Sequence, residues 1–162
     1  NSAALIKYGR FFDGARIGIA LYGVNPVPGD QTLLLPVMTF RAAVIAINTV
    51  KKGDFIGYSR GYRAKKDMRV AIISTGYADG LPRALSNKGT IFCNGQFLKI
   101  VGKVSMDSVA VDAGDADVKI MDEVVVFGDE ITVTDVANRA DTLPYEILTG
   151  VSERVKRVYK NP

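Results

Sequence analysis

Short apolar runs recur along the chain, and each is bounded by polar residues, glycine or proline. They lie at 38–50, 55–58, 70–75, 90–93, 96–100 and 123–127, with Val104, Val109 and Val111 marking one more. Strands spaced about 8–12 residues apart are typical of a β-barrel or β-sandwich. The pair Asn94-Gly95 is favoured in two-residue hairpin turns. We therefore expect an all-β domain after residue 30.

The pattern of the N-terminal residues predicts a domain separate from the β-domain. Residues 16–23, Arg-Ile-Gly-Ile-Ala-Leu-Tyr-Gly, predict a short buried strand that ends at a glycine turn. Two prolines and a glycine within 25–29 are typical of a linker. We therefore assign 1–25 to one domain and 26–162 to the β-domain.

Late in the chain the pattern predicts two short helices and a last strand. Thr134 is a capping residue type at the start of a helix over 134–139, and Pro144 suits the first turn of a helix over 144–148. Residues 151–159 alternate apolar and charged positions, which predicts a final strand.

Composition narrows the chemistry. The chain has 162 residues, of which 48% are apolar and 23% charged, as in soluble globular proteins. No apolar run approaches the ~20 residues of a membrane span, and the first residues lack the pattern of a signal peptide. Cys93 is the one cysteine, which excludes a disulfide framework within the chain. The sequence has no histidine, which excludes Ser-His and Cys-His nucleophiles. Without histidine or paired cysteines, no metal site is expected. Acid–base chemistry must then use Tyr, Lys, Asp or Glu.

The net charge of +4 bears on partners. The 21 basic residues are interspersed with 17 acidic ones, which disfavours nucleic acid as a partner. A modest positive field suits anionic small molecules such as carboxylates or phosphorylated cofactors.

Three polar, glycine-rich segments are unusual for a plain β-domain. They are 57–62 (Gly-Tyr-Ser-Arg-Gly-Tyr), 76–83 (Gly-Tyr-Ala-Asp-Gly-Leu-Pro-Arg) and 102–107 (Gly-Lys-Val-Ser-Met-Asp). Glycine lets the backbone approach a ligand, and polar loops on a rigid scaffold commonly carry sites. A single tyrosine in such a loop is more often a half-buried residue with one hydrogen bond.

Taken in order, these segments resemble the C-terminal part of the alanine racemase family, which uses pyridoxal phosphate (PLP). The resemblance rests on Asn1-Ser2-Ala-Ala, 16–23, Gly57-Tyr58, 76–80, 102–107 and Tyr145-Glu-Ile147. It implies a C-terminal β-barrel with short helices, preceded by a remnant of a (β/α)8 barrel. It also implies part of a cytoplasmic isomerase that interconverts L- and D-alanine for the cell wall. The chain covers less than half of a family member, and the lysine that forms the Schiff base with PLP belongs to the missing part.

The resemblance assigns cofactor contacts to the N-terminal stretch. Ser2, through its hydroxyl, and Gly18 and Ile19, through their N–H groups, match positions that hold the PLP phosphate. Arg16 matches the arginine that faces the pyridine nitrogen, where its permanent charge disfavours a proton. Without the resemblance, an ordinary strand glycine is an equally good interpretation of Gly18, and a surface arginine is the preferred interpretation of Arg16.

The resemblance also assigns the groups that act on the amino acid. Tyr58 matches the base that removes the α-proton of the L-enantiomer, acting across a homodimer interface on the partner's cofactor. Met106 matches a residue whose N–H binds the substrate carboxylate, and its side chain is otherwise a core candidate. Asp107, Tyr77 and Arg83 match residues that line the access to the site, where Tyr77 favours a small substrate.

Two positions depart from the family pattern and leave alternatives open. Lys103 stands where arginine is common, and Glu153 stands where many members have a tyrosine that touches the phosphate. A larger pocket at Glu153 would suit a serine racemase of the vancomycin-resistance type. A non-catalytic β-barrel binding module is a further alternative, whereas a related decarboxylase would need an acidic residue in place of Arg16. Alone, the chain is expected to be inactive.

Overall fold

In the computed structural model, the described residues are Tyr8, 13–27 and 33–160, and they contain eight strands. The strands are β1 (Phe40–Val50), β2 (Phe55–Ile56), β3 (Tyr62–Arg63), β4 (Met68–Ile73), β5 (Thr90–Cys93), β6 (Gln96–Ile100), β7 (Val109–Asp112) and β8 (Glu123–Phe127). Six of them close an antiparallel barrel in the order β1-β4-β7-β6-β5-β8, and β2 pairs with β3. The predicted all-β barrel with short helices is confirmed.

Strand β4 is buried on both faces, and this places the small β2–β3 hairpin. Ala71 and Ile73 belong to the main core, whereas Met68 and Val70 lie in a second apolar cluster with Ile56 of β2. Because side chains alternate along a strand, these two sets point to opposite sides of β4. The β2–β3 hairpin therefore packs on the outer face of the barrel.

Two short helices follow β8. They are α1 (Val133–Ala140) and α2 (Pro144–Gly150). Thr132 caps α1 in a reciprocal capping box with Asp135, so the predicted cap at Thr134 is wrong by two residues. A buried side chain, Ile147, joins α2 to the main core. In the part of the chain described, no helix is both long and apolar enough to span a membrane.

The predicted final strand over 151–159 is wrong. These residues form turns and irregular chain, because the Arg157 guanidinium donates to the carbonyls of Val151, Ser152 and Val155 at 2.9, 3.1 and 3.2 Å. A side chain thus satisfies acceptors that a neighbouring strand would otherwise pair.

The predicted strand over 16–23 is also wrong. Arg16 to Gly18 is exposed and irregular, and a 3-10 turn covers Ile19–Tyr22. A strand needs a ladder partner, and no strand among the described residues forms a ladder with this stretch. The predicted domain boundary at 25–29 stays a prediction, since 28–32 lie outside the described residues.

Candidate active site

The loop between β6 and β7 is the centre of the candidate site. Tyr77 and Ala78 donate their N–H groups to the carbonyls of Ser105 and Met106 at 2.9 and 3.0 Å. A Cβ on Gly76 would lie 2.3 Å from the Met106 oxygen, so only glycine permits this approach. The Tyr77 loop therefore lies directly on the β6–β7 loop.

Tyr58 projects from a strained turn after β2. The predicted strand over 55–58 ends at Ile56, and a 3-10 turn begins at Tyr58. Ser59 and Arg60 have positive φ angles of 55° and 53°, a conformation that costs a non-glycine residue about 1–2 kcal/mol. The Tyr58 side chain is 72% exposed. The turn thus presents the phenol to the surface of this chain.

The Tyr58 turn is fastened to the same β6–β7 loop. The Asn87 amide donates to the Gly61 carbonyl at 3.0 Å and accepts from the Gly102 N–H at 2.7 Å. The Cγ of Lys103 lies 3.0 Å from the place that a Cβ on Gly61 would take. Sequence reasoning missed Asn87, whose only sequence signal is its tolerance of positive φ (60° here).

Arg83 reaches the same loop through its backbone. It begins a 3-10 turn over Arg83–Leu85. The Ser86 hydroxyl donates to the Arg83 carbonyl at 2.6 Å and accepts from the Val104 N–H at 3.0 Å. Three loops therefore converge on the segment that carries Met106.

An arginine that sequence reasoning did not single out joins two of these loops. Arg154 contacts Asp79 (Nε to Oδ1, 2.9 Å) and Asp107 (Nη2 to Oδ1, 2.6 Å). The hydrogen bond to Asp107, followed by the charge of Asp79, raises the pKa of Arg154. Because the three residues are far apart in sequence, no local pattern pairs them.

The groups around the β6–β7 loop suit an anion. Lys103 and Arg83 form no ion pair with any described residue. Within the described part, no group accepts a hydrogen bond from the Met106 N–H. A free amide on the loop that carries the unpaired Lys103, and to which the Arg83 turn is bonded through Ser86, is a favourable place for a carboxylate.

The predicted cofactor contacts differ in exposure. Arg16 and Gly18 are exposed and Ile19 is buried in the main core, while Ser2 lies outside the described residues. Among the described residues, no ion pair joins Arg16 to the loops above. The hydrogen bonds and close approaches above connect the loops that carry Tyr58, Tyr77, Arg83, Met106 and Asp107.

Glu153, the departure from the family pattern, is exposed in a turn. Its carboxylate makes no ion pair with any described residue. The described residues also contain no group of three His, Cys, Asp or Glu placed to hold a metal ion.

Comparison with known proteins relates the chain to one family. The family described as "Alanine racemase, C-terminal domain" matches residues 37–159. The alanine racemase of Halothermothrix orenii is 40% identical over 169 residues, covering 99% of this chain and 45% of that protein. That of Sorangium cellulosum is 38% identical over 172 residues, covering 100% and 45%.

Solved structures agree with the sequence comparison. Alanine racemase from a D-cycloserine-producing Streptomyces lavendulae superposes with a TM-score of 0.92 and 35% identity, over 99% of this chain and 44% of that one. The Bartonella henselae alanine racemase, with covalently bound pyridoxal phosphate, gives 0.85 and 42%, over 88% and 40%. The chain therefore spans less than half the length of these relatives.

Proposed function

Since the chain belongs to the alanine racemase family, as its C-terminal part, we propose that it completes the active site of a PLP-dependent enzyme that interconverts L- and D-alanine. The observation that carries this proposal is the exposed phenol of Tyr58, 72% accessible, on a turn bonded to the loop that offers the Met106 N–H. PLP, when bound, supplies an electron sink that acidifies the α-proton of the amino acid.

Tyr58 is the base on one face of the α-carbon: it takes the α-proton from the L-enantiomer, and in the D-to-L direction it donates a proton to that same face. The Schiff-base lysine of the rest of the protein would serve the opposite face, so that proton removal on one face is matched by proton delivery on the other. Lys103, whose stem packs at Gly61, and Arg60, two residues after Tyr58 in the chain, place positive charge on the loop and the turn that form the site. Because the Tyr58 side chain is exposed on this chain, it is free to act on substrate bound by the partner subunit of a homodimer, as the resemblance to the family implies.

The β6–β7 loop holds the substrate carboxylate. The Met106 N–H donates to it, and the charges of Lys103 and Arg83 attract it. Tyr77 sits on the same loop through its hydrogen bond to Ser105 and narrows the access, which limits the substrate to a small amino acid.

The N-terminal stretch fits one side of PLP. Arg16 is exposed, and no described carboxylate neutralises it. Placed at the ring nitrogen, its permanent charge would disfavour a proton there, which favours proton return to the α-carbon over transamination. The resemblance to the family assigns the Schiff-base lysine to a part of the protein outside this chain, and we therefore expect this chain alone to be inactive.

The full-length protein with Tyr58→Phe tests the assignment. We expect loss of solvent-deuterium exchange at the α-carbon of L-alanine, with PLP absorbance retained. Tyr159→Phe is the matched control, since Tyr159 is 89% exposed and outside the loops of the site. Unchanged L-alanine exchange in Tyr58→Phe would remove Tyr58 as the base.

Substrate choice is settled by the same assay. L-alanine and L-serine are compared in the wild-type protein, and we expect alanine to be turned over with the higher kcat/KM. A reversed preference would identify a serine racemase. Deuterium exchange catalysed by the 162-residue chain alone would contradict the proposed need for the remainder of the protein.

A further inference from the structure

We propose that Arg154 is a positioning residue for this reaction, because its bridge between Asp79 and Asp107 sets the β6–β7 loop against the Tyr77 loop. The inference rests on the function proposed above, in which the Met106 N–H binds the substrate carboxylate. Arg154 acts through Asp107, its neighbour in the structure, and Asp107 directly follows Met106.

The first half of the bridge is the less exposed one. The Asp79 side chain is 13% exposed, and its two oxygens are both used: Oδ2 accepts the Gly76 N–H at 2.9 Å and Oδ1 meets Arg154 Nε at 2.9 Å. A carboxylate withdrawn from water needs such partners. Asp79 therefore closes its own loop and offers a fixed anchor for the guanidinium.

The second half of the bridge reaches the substrate-binding loop. Arg154 Nη2 contacts Asp107 Oδ1 at 2.6 Å, while the backbone at Ser152 is held by its N–H bond to the Asp79 carbonyl at 3.2 Å. A planar guanidinium directs its donors in fixed directions, so one side chain fixes the relative orientation of two carboxylates. With Asp107 held, the peptide that carries the Met106 N–H is held as well.

The bridge also balances charge where an anion must bind. Without Arg154, Asp79 and Asp107 would stand as uncompensated carboxylates beside Met106. They would repel the substrate carboxylate, and added salt would screen that repulsion. A purely structural contribution of Arg154 gives no such salt dependence of KM.

Steady-state kinetics of the full-length protein test the proposal. We expect Arg154→Gln to raise KM for alanine about tenfold or more with a smaller change in kcat, the pattern of lost uniform binding. We expect that increase to shrink as salt rises from about 0.05 M to about 0.5 M. Arg154→Lys, which keeps the charge without the planar fork, should restore part of the KM and keep the variant folded.

A control variant separates positioning from a general loss of positive charge. Lys156→Gln removes one exposed positive charge from the same segment and leaves both carboxylates paired with Arg154. We expect it to keep the wild-type KM. A KM in Arg154→Gln equal to that of this control, or an increase unaffected by salt, would overturn the proposal. Failure of the proposed function is seen separately, as absent racemisation in the wild-type protein or unchanged exchange in Tyr58→Phe.

Discussion

Replacing Gly76 with alanine tests the contact on which the site is built. The added Cβ would lie 2.3 Å from the Met106 oxygen and 2.4 Å from the Ser105 oxygen, and both are backbone atoms. An ordinary contact requires the two loops to separate by about 1 Å, which stretches the two hydrogen bonds of 2.9 and 3.0 Å beyond useful range.

The cost follows from those two bonds. Each contributes about 0.5–1.5 kcal/mol net, so about 2 kcal/mol is lost. Alanine offsets about 0.4–1 kcal/mol by restricting the unfolded chain. The expected net loss is about 1–2 kcal/mol, which lowers Tm by about 2–8 °C in a chain of this size.

Thermal and urea unfolding of Gly76→Ala measure this loss, with Gly150→Ala as the control. Nothing lies within 4 Å of a Cβ on Gly150, so that variant should match or slightly exceed the wild type, since alanine is the better helix former. Equal stability of the two variants would refute the close packing of the two loops.

Three further tests probe the scaffold. Arg69→Met should lower the free energy of unfolding by about 2 kcal/mol in urea, because the Arg69 guanidinium donates to the Ala116 and Val118 carbonyls at 3.0 and 3.2 Å. Arg41→Met, which loses only an exposed ion pair, should change that free energy little. Thr132→Ala should cost about 1 kcal/mol by calorimetry and Thr134→Ala less, since only Thr132 closes the capping box. Burial, aided by the Asp122 charge, raises the pKa of the Cys93 thiol, so labelling of this thiol should follow unfolding. The thiol of the unfolded chain ionises at lower pH than the buried one, so the free energy of unfolding should fall as pH rises from the ordinary thiol pKa through the raised one.

Periodicity and turn chemistry predicted the barrel well because both are local. The hairpin at Asn94-Gly95 forms as expected, with φ angles of 46° and 81°, between strands whose bounds match the prediction. The strand at Glu123–Phe127 was likewise predicted residue by residue. In each case the side chains that define the pattern face a core made by the adjacent strands.

The errors fall where a distant partner decides the structure. The alternation over 151–159 is that of a strand, but Val158 and Tyr159 are 69% and 89% exposed, so no buried face supports it. Val104 has a strand-like neighbourhood in sequence, yet its N–H bonds to the Ser86 hydroxyl and it stays in the loop. Neither partner is visible in a local window.

The candidate site also depends on contacts between residues that are distant in sequence. For this reason, sequence motifs predicted only some of its residues. Tyr58, Tyr77 and Met106 lie in recognisable glycine-rich segments. The residues that hold those segments together, Asn87 and Arg154, lie in stretches with no such signal. Because β4 and β7 are antiparallel neighbours, with Ile73 opposite Val109, the loops after β4 and before β7 emerge at one end of the barrel. The β2–β3 hairpin, packed outside the barrel, brings the Tyr58 turn to that same end, so the topology assembles the site and the side-chain bridges fix its geometry.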